Sequence, residues 1–355
     1  MMFDKSKLKL RYLLIPVLLL FWVLVPFDWF MGQYTGLAIM IGIYTIATVG
    51  LCLLMGYTGQ VSLGHAAYFG MGGYISAILS TDHGVNPWLA MFIAAVITGA
   101  FASMIGHPIL RLRGNYLALA TLAVGALVWD LAKNLSQFTG GPDGMAGIPY
   151  LAIGSFEFDT PFRRYFLVWG FCLVILLISQ NIINSRTGRA LRAIHGSETA
   201  AESLGINVDR FKVNIFILSA IYASIAGSLF AHHLCFMSPG SFSILSSVKL
   251  VVMAVVGGLA SIWGAIFGAG ITKILSDELL LQFGEWDVAG YGLMLVLIMI
   301  FMPEGVFPTL KAAYERDGFW FFLKWLWNVG QDLFAIFSNG YYYMRFRNSQ
   351  EEARP

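Results

Sequence analysis

Charge is scarce in this sequence. Acidic and basic residues make up 12% of its 355 positions, while 58% are hydrophobic. Soluble domains carry roughly 25% charged residues, so an ordinary solvated globular domain is excluded. Cysteine is scarce as well. Cys52, Cys172 and Cys235 stand far apart, in or beside apolar runs. None has the spacing of a metal site or redox motif, and all three are expected to be small packing residues. Hydrolytic signatures are missing too. There is no GxxxxGK[ST] phosphate loop, no HExxH and no GxSxG, and no long polar segment to hold a nucleotide-hydrolysing domain. If ATP drives this protein, another chain is expected to hydrolyse it. No convergent catalytic groups stand at a span end, which weighs against a membrane-embedded enzyme.

What the sequence does hold is apolar runs of about twenty residues, the length that crosses a bilayer as helix. The expected fold is all-α: a polytopic transmembrane helical bundle with about nine crossings, some of them broken or short. The spans expected are 12–30, 34–55, 66–79, 88–105, 116–131, 165–183 and 211–236, a pair within 248–281, and 288–301. Lys5, Lys7, Lys9 and Arg11 precede the first, which places the N-terminus in the cytoplasm and makes that run a retained signal anchor. Arg111 and Arg113, and later the basic loop 187–212, then fall on the cytoplasmic side by both count and charge. Residues 1–310 are read as the membrane domain. Residues 311–355 form an aromatic-rich tail expected to lie at the lipid interface.

Three polar stretches interrupt the apolar pattern. The first, 56–65, contains Gly56, Thr58, Gln60, Ser62 and His65. Polar groups at a span boundary are costly unless buried or functional. The segment is either a helix-ending turn or a place where a small polar solute meets the chain. The second, Thr139, Gly140, Gly141, Pro142, Asp143 and Gly144, has the glycines and proline of tight turns, with an added role expected at the outer mouth. The third is 187–212, with Arg186, Arg189, Arg192, Arg210 and Lys212 against Glu198, Glu202 and Asp209. Here Ser197 can cap a short helix that Gly205 ends.

Other features read as structural. His232 and His233 are adjacent, and helix neighbours point about 100° apart, so packing is expected rather than metal binding. Asp130 with Lys133, and Lys273 with Asp277, are spaced to pair on a helix. Gly70, Gly72, Gly73, Gly257, Gly258, Gly264, Gly268 and Gly270 are expected to let helices approach closely. Two short helices meeting near 257–263 account best for the run 248–281, which is too long for one span.

Taken together, 111–118 (RLRGNYLA), 139–144 (TGGPDG), Gly188-Arg189-Ala190 and Ser203-Leu204-Gly205-Ile206 resemble the LivM-type permeases, membrane subunits of bacterial ABC importers for branched-chain amino acids. The resemblance runs from about 36 to 308. It implies a second LivH-like permease, two ABC ATPase subunits that use ATP and Mg, and a periplasmic amino-acid-binding protein as partners. Membrane lipid is also expected as a partner, and nucleic acid is not; no cofactor or metal is expected on this chain. It implies residence in the bacterial inner membrane and import of leucine, isoleucine or valine. Urea, amide and aromatic-acid importers use related permeases, and a stand-alone secondary transporter is the rival from another class. The importer signature, two alanines and a glycine four residues on, falls on Ala200, Ala201 and Gly205 of a cytoplasmic coupling helix. Gly188, Arg189 and Glu198 are expected beside it at the ATPase contact. The acidic position that usually starts the signature is Thr199 here, with Glu198 one place earlier. The solute path is expected along 56–65 and 139–144. The aromatic tail has no counterpart in the resemblance.

Overall fold

The computed structural model describes residues 34–112, 114–154, 156–276 and 287–317. The expected span 12–30, the positions Arg113, Asp277, Glu278 and Glu285, and the tail from Gly318 lie outside the described residues.

In chain order the helices are α1 (Thr35–Leu51, prolonged by a π-helical turn over Cys52–Gly56), α2 (His65–Thr81), α3 (Pro87–Ile109), α4 (Asn115–Asn134), a short α5 (Ser136–Thr139), α6 (Pro161–Asn184), α7 (Arg186–Gly196), α8 (Glu198–Ser203), α9 (Val208–Leu234), α10 (Ile244–Gly257), α11 (Gly264–Ile274), α12 (Asp287–Phe301) and α13 (Val306–Asp317). Among the described residues, α1, α3, α4, α6 and α9 are long and apolar enough to cross a membrane, and α2, α10, α11 and α12 are shorter. Helix starts follow their local chemistry. Asn86 and Thr160 accept from the Trp88 and Arg163 amides, each with proline at the first helical position, and Asn207 accepts from the Arg210 amide. Such caps satisfy donors that a helix leaves open.

The core is built around α1 and α9. Within the spanning windows 78% of α1 and 72% of α9 is buried, against 17% of α4, so α4 is the outermost span. α9 packs along α1, α2 and α3. Lipid is as apolar as leucine, so close approach rather than water exclusion holds such helices together. A Cβ on Gly227 would run into the Phe69 carbonyl, and one on Gly72 into Ser224. The Ser228 hydroxyl donates to the Gly72 carbonyl at 3.0 Å. α10 and α11 form the expected hairpin of two short helices. Gly257 and Gly264 face each other without room for side chains, and Gly268 abuts the Met253 carbonyl.

The helices run alternately up and down. One end of the bundle carries α7, α8 and the turn 258–263. The other carries two small ribbons absent from the all-α expectation: β1 (Met145–Ala146) with β4 (Phe236–Met237), and β2 (Ala152–Ile153) with β3 (Phe156–Glu157), both antiparallel.

Several local expectations change. α6 starts at Pro161 rather than 165, so Arg163 and Arg164 belong to its first turn. Arg163 pairs with Asp159 at 3.0 Å, and Arg164 donates to the His233 carbonyl at 2.8 Å while lying over the Tyr150 ring. Lys133 does not pair with Asp130; its ammonium sits 3.8 Å above the Trp129 ring, an alternative that holds the cation without a carboxylate. Lys273 lies over the Tyr44 ring. His232 is a packing residue, as expected: its ring nitrogens meet Ser76 Oγ at 2.8 Å and the Pro149 carbonyl at 2.7 Å.

Candidate functional site

The stretch 187–212 folds as two helices, not one. Ser185 caps α7 through the Thr187 amide. α7 is amphipathic: Gly188, Leu191 and Ile194 are buried, whereas Arg186, Arg189 and Arg192 are exposed. Gly188 is needed where it stands, because a Cβ would strike the Ile183 carbonyl. Ser197 then caps α8, accepting from the Ala200 amide at 3.3 Å. Gly205, at φ 81°, closes it with a Schellman turn, in which Ile206 donates to the Ala201 carbonyl and Gly205 to that of Glu202.

The residues of the signature divide by direction. Ala201 is 1% exposed and joins Ile194 and Val208 in a small apolar cluster that holds α8 against α7 and α9. Ala200 and Gly205 are exposed, and Leu204 beside them is 79% exposed. Glu198 faces inward. Its carboxylate takes the Lys212 ammonium at 2.5 Å, and Lys212 itself is buried. Glu198 therefore braces α8 to the start of α9, and the exposed side of α8 carries Ala200 and Leu204 together with Thr199, Glu202 and Ser203.

Residues 56–64 lie at the same end of the bundle. Gly59, at φ 71°, turns the backbone so that its amide and that of Gln60 cap the carbonyls of Met55 and Leu54. Thr58 Oγ1 donates to Leu54, closing the last helical turn. The chain then runs extended to α2. Gly59 and Val61 point outward, and Gln60, Ser62 and Gly64 are buried, the alternation of extended chain. Gly64 lies against the backbone of Thr121, and Gly125 of α4 against Gly64. His65 is fully buried; its ring lies edge-on to Tyr68 and beside the Ala47 backbone. A helix-ending turn and a buried polar segment are thus both present in this stretch.

The third stretch, 139–144, is at the opposite end. Gly140, Gly141 and Gly144 all have positive φ. Thr139 Oγ1 donates to Ala132 and accepts from the Gly141 amide. Gly144 is pressed against Met237 and Ser238, and the Trp129 indole donates to Pro239. These contacts sew the loop to 236–242. Asp143 is exposed. Thr139 also borders an open apolar groove of about 220 Å³ between α2, α3 and α4, with Tyr74, Phe101, Leu131 and Phe242 in its walls. The expected path residues are therefore not brought together: 56–65 and 139–144 occupy opposite ends of one bundle, and 56–65 lies next to α7 instead.

Sequence reasoning missed α7, Leu204, the inward turn of Glu198 and the packing of Gly56 against the backbone of Leu259 and Ala260. The signal for α7 was present in Ser185 followed by Leu191 and Ile194 at helical spacing. Leu204 stands four residues after Ala200 and so shares its face. Nothing in the sequence ties 259–260 to the first break.

Residues 33–303 match the family described as branched-chain amino acid transport system / permease component. The chain is 33% identical over 335 residues to the Salmonella typhimurium protein named high-affinity branched-chain amino acid transport system permease protein LivM, with 88% of this chain and 78% of that one covered. It is 29% identical to the Pseudomonas aeruginosa permease protein BraD, covering 74% and 91%. Among solved structures, PsaBC from Streptococcus pneumoniae in complex with Fab covers 84% of this chain and 99% of its own at 15% identity, with a TM-score of 0.44, too low to bear on the argument. The multi-pass bundle with its α7–α8 unit, and the match over 33–303, show that this chain belongs to the family of branched-chain amino acid transport permeases.

Proposed function

We propose that this chain is one permease half of an ABC importer that carries leucine, isoleucine or valine across the bacterial inner membrane. A LivH-like permease forms the other half, and a periplasmic binding protein delivers the solute. Two ATPase subunits hydrolyse Mg-ATP and seat on α8, so the α7–α8 end faces the cytoplasm. The names of LivM and BraD support the solute class. The observation that carries the ATPase contact is the outward face of α8: Ala200, Leu204 and Gly205 lie exposed on a rigidly capped helix whose other face is buried. A six-residue helix has no stability of its own, so the capping, Ala201 and the Glu198–Lys212 pair fit it to transmit force into α9.

The test is reconstitution of the chain with its permease, ATPase and binding-protein partners in proteoliposomes. ATP-driven uptake of labelled leucine is expected, with urea and phenylalanine excluded. Leu204→Asp is expected to leave the permease pair assembled and to uncouple ATP hydrolysis from uptake. Transport by the purified chain alone, without any ATPase, would overturn the reading.

A further inference from the structure

The two interruptions of the bundle meet at one place. Gly56 lies against the Leu259 carbonyl and the Ala260 amide with no room for a Cβ. Next to it, the Tyr57 hydroxyl donates to the Ala260 carbonyl at 2.7 Å. On the far side of the same turn, Gly258 rests on Pro308 and the Glu304 carbonyl, and Gly305 rests on Gly258. On the near side, His195 of α7 covers Gly59, with Nδ1 3.2 Å from where a Cβ would stand. So α7, the first break, the second break and the segment 304–308 touch in series. Between the two breaks lie one hydrogen bond and close backbone packing, a joint that separates at small cost compared with an interdigitated helix interface.

Directly behind this joint the side chains are short of partners. Among the described residues, both amide atoms of Gln60 and the Ser62 hydroxyl are buried and complete no hydrogen bond, and the buried His65 ring has the Ala47 backbone as its polar neighbour. The three residues are 3%, 1% and 0% exposed. The backbone of the same stretch is satisfied: the Leu63 amide donates to Thr121 Oγ1 at 3.0 Å and the Ala66 amide to Ser247 Oγ at 3.1 Å. The shortage is therefore confined to the inward-facing side chains. A buried polar group left unpaired costs about 1–3 kcal/mol. Gln60 and Ser62, two positions apart, make the closed arrangement poor in energy relative to one in which they meet water or a polar solute. A zwitterionic head group is their complement, since its carboxylate accepts from an amide N–H or hydroxyl and its ammonium donates to an amide oxygen or an imidazole nitrogen.

We propose that the Tyr57–Ala260 joint is the inner gate of the solute path, opened by movement of α7 against Gly59, and that opening presents Gln60, Ser62 and His65 to the charged head of an amino-acid solute. This rests on the transport reading above and places within it a gate and a contact set.

The test uses the assembled importer in vesicles, with Cys52, Cys172 and Cys235 replaced by alanine. Ser62→Cys is exposed to a membrane-impermeant thiol reagent from the α7–α8 side, without nucleotide and after arrest with ATP and vanadate. Its labelling rate is expected to differ at least tenfold between the two states, whereas outward-facing Val61→Cys labels in both. Tyr57→Phe is expected to raise the slower Ser62→Cys rate several-fold, and leucine to slow labelling of the open state. Gln60→Cys gives the same reading where Ser62→Cys fails to assemble. Equal rates in both states, with ATP-driven leucine uptake intact, would overturn the gate alone. State-dependent labelling without protection by leucine would overturn the head-group contact. Absence of uptake in the unsubstituted complex would overturn the transport reading and the gate with it.

Discussion

Replacing Glu198 with alanine tests how α8 is held. Glu198 pairs with Lys212 at 2.5 Å, and their side chains are 34% and 6% exposed. Exposed pairs contribute about 0–1 kcal/mol, and removing one partner of a fully buried pair costs about 3–5 kcal/mol. One buried and one partly exposed partner places this bridge between those limits, at about 2 kcal/mol. Since about 1.4 kcal/mol is a factor of ten, Glu198→Ala is expected to raise the undocked population of α8 roughly 30-fold. The other restraints on α8 are the Ser197 cap, worth about 1 kcal/mol, and the small cluster of Ala201 with Ile194 and Val208. Hydrogen exchange at the amides of Ala201, Leu204 and Ile206, which bond to Ser197, Ala200 and Ala201, reads that population directly in the purified complex. Lys212→Met in the Glu198→Ala background is expected to recover part of the loss, because it removes the stranded buried cation. Unchanged exchange in Glu198→Ala, or strict additivity of the two substitutions, would refute the brace and return Glu198 to the role of an outward docking charge.

Gly205→Ala places a side chain at φ 81° in open space, so its cost is backbone strain of about 1–2 kcal/mol. Partial uncoupling of ATP hydrolysis from uptake is expected, with Gly205→Asn milder, and an unaffected coupling ratio would count against the Schellman closure. Gly227→Ala collides with the Phe69 carbonyl at the α2–α9 contact, whereas Gly170→Ala on α6 meets nothing within 4 Å. Thermal unfolding in detergent should fall for the first and hold or rise for the second, where alanine gains about 1 kcal/mol of helix propensity. Ser197→Cys is expected to react with an impermeant thiol reagent from the cytoplasmic side only; reaction from outside would invert the bundle.

How much was legible in the sequence differs from element to element. The α10–α11 hairpin was readable because a run too long for one span was interrupted by Gly257, Gly258 and Gly264. The Ser197 cap and Gly205 stop of α8 were readable because capping is local chemistry. The start of α6 was expected at 165 and lies at Pro161, which takes Arg163 and Arg164 into its first turn. Only the fold shows that a carbonyl from α9 and an aspartate before the helix take them up. Lys133 was given to Asp130 on spacing alone, and the neighbouring indole took it instead.

The sequence by itself determined the membrane setting, the alternation of helices and the position of α8, because hydropathy, caps and breakers act over a few residues. Tertiary structure alone decided which way Glu198 and Ala201 point. It also joined Tyr57 to Ala260 across 203 positions of sequence. Contacts of that separation depend on how α1, α9 and the α10–α11 hairpin pack together, and no local pattern encodes where two breaks in distant helices will meet.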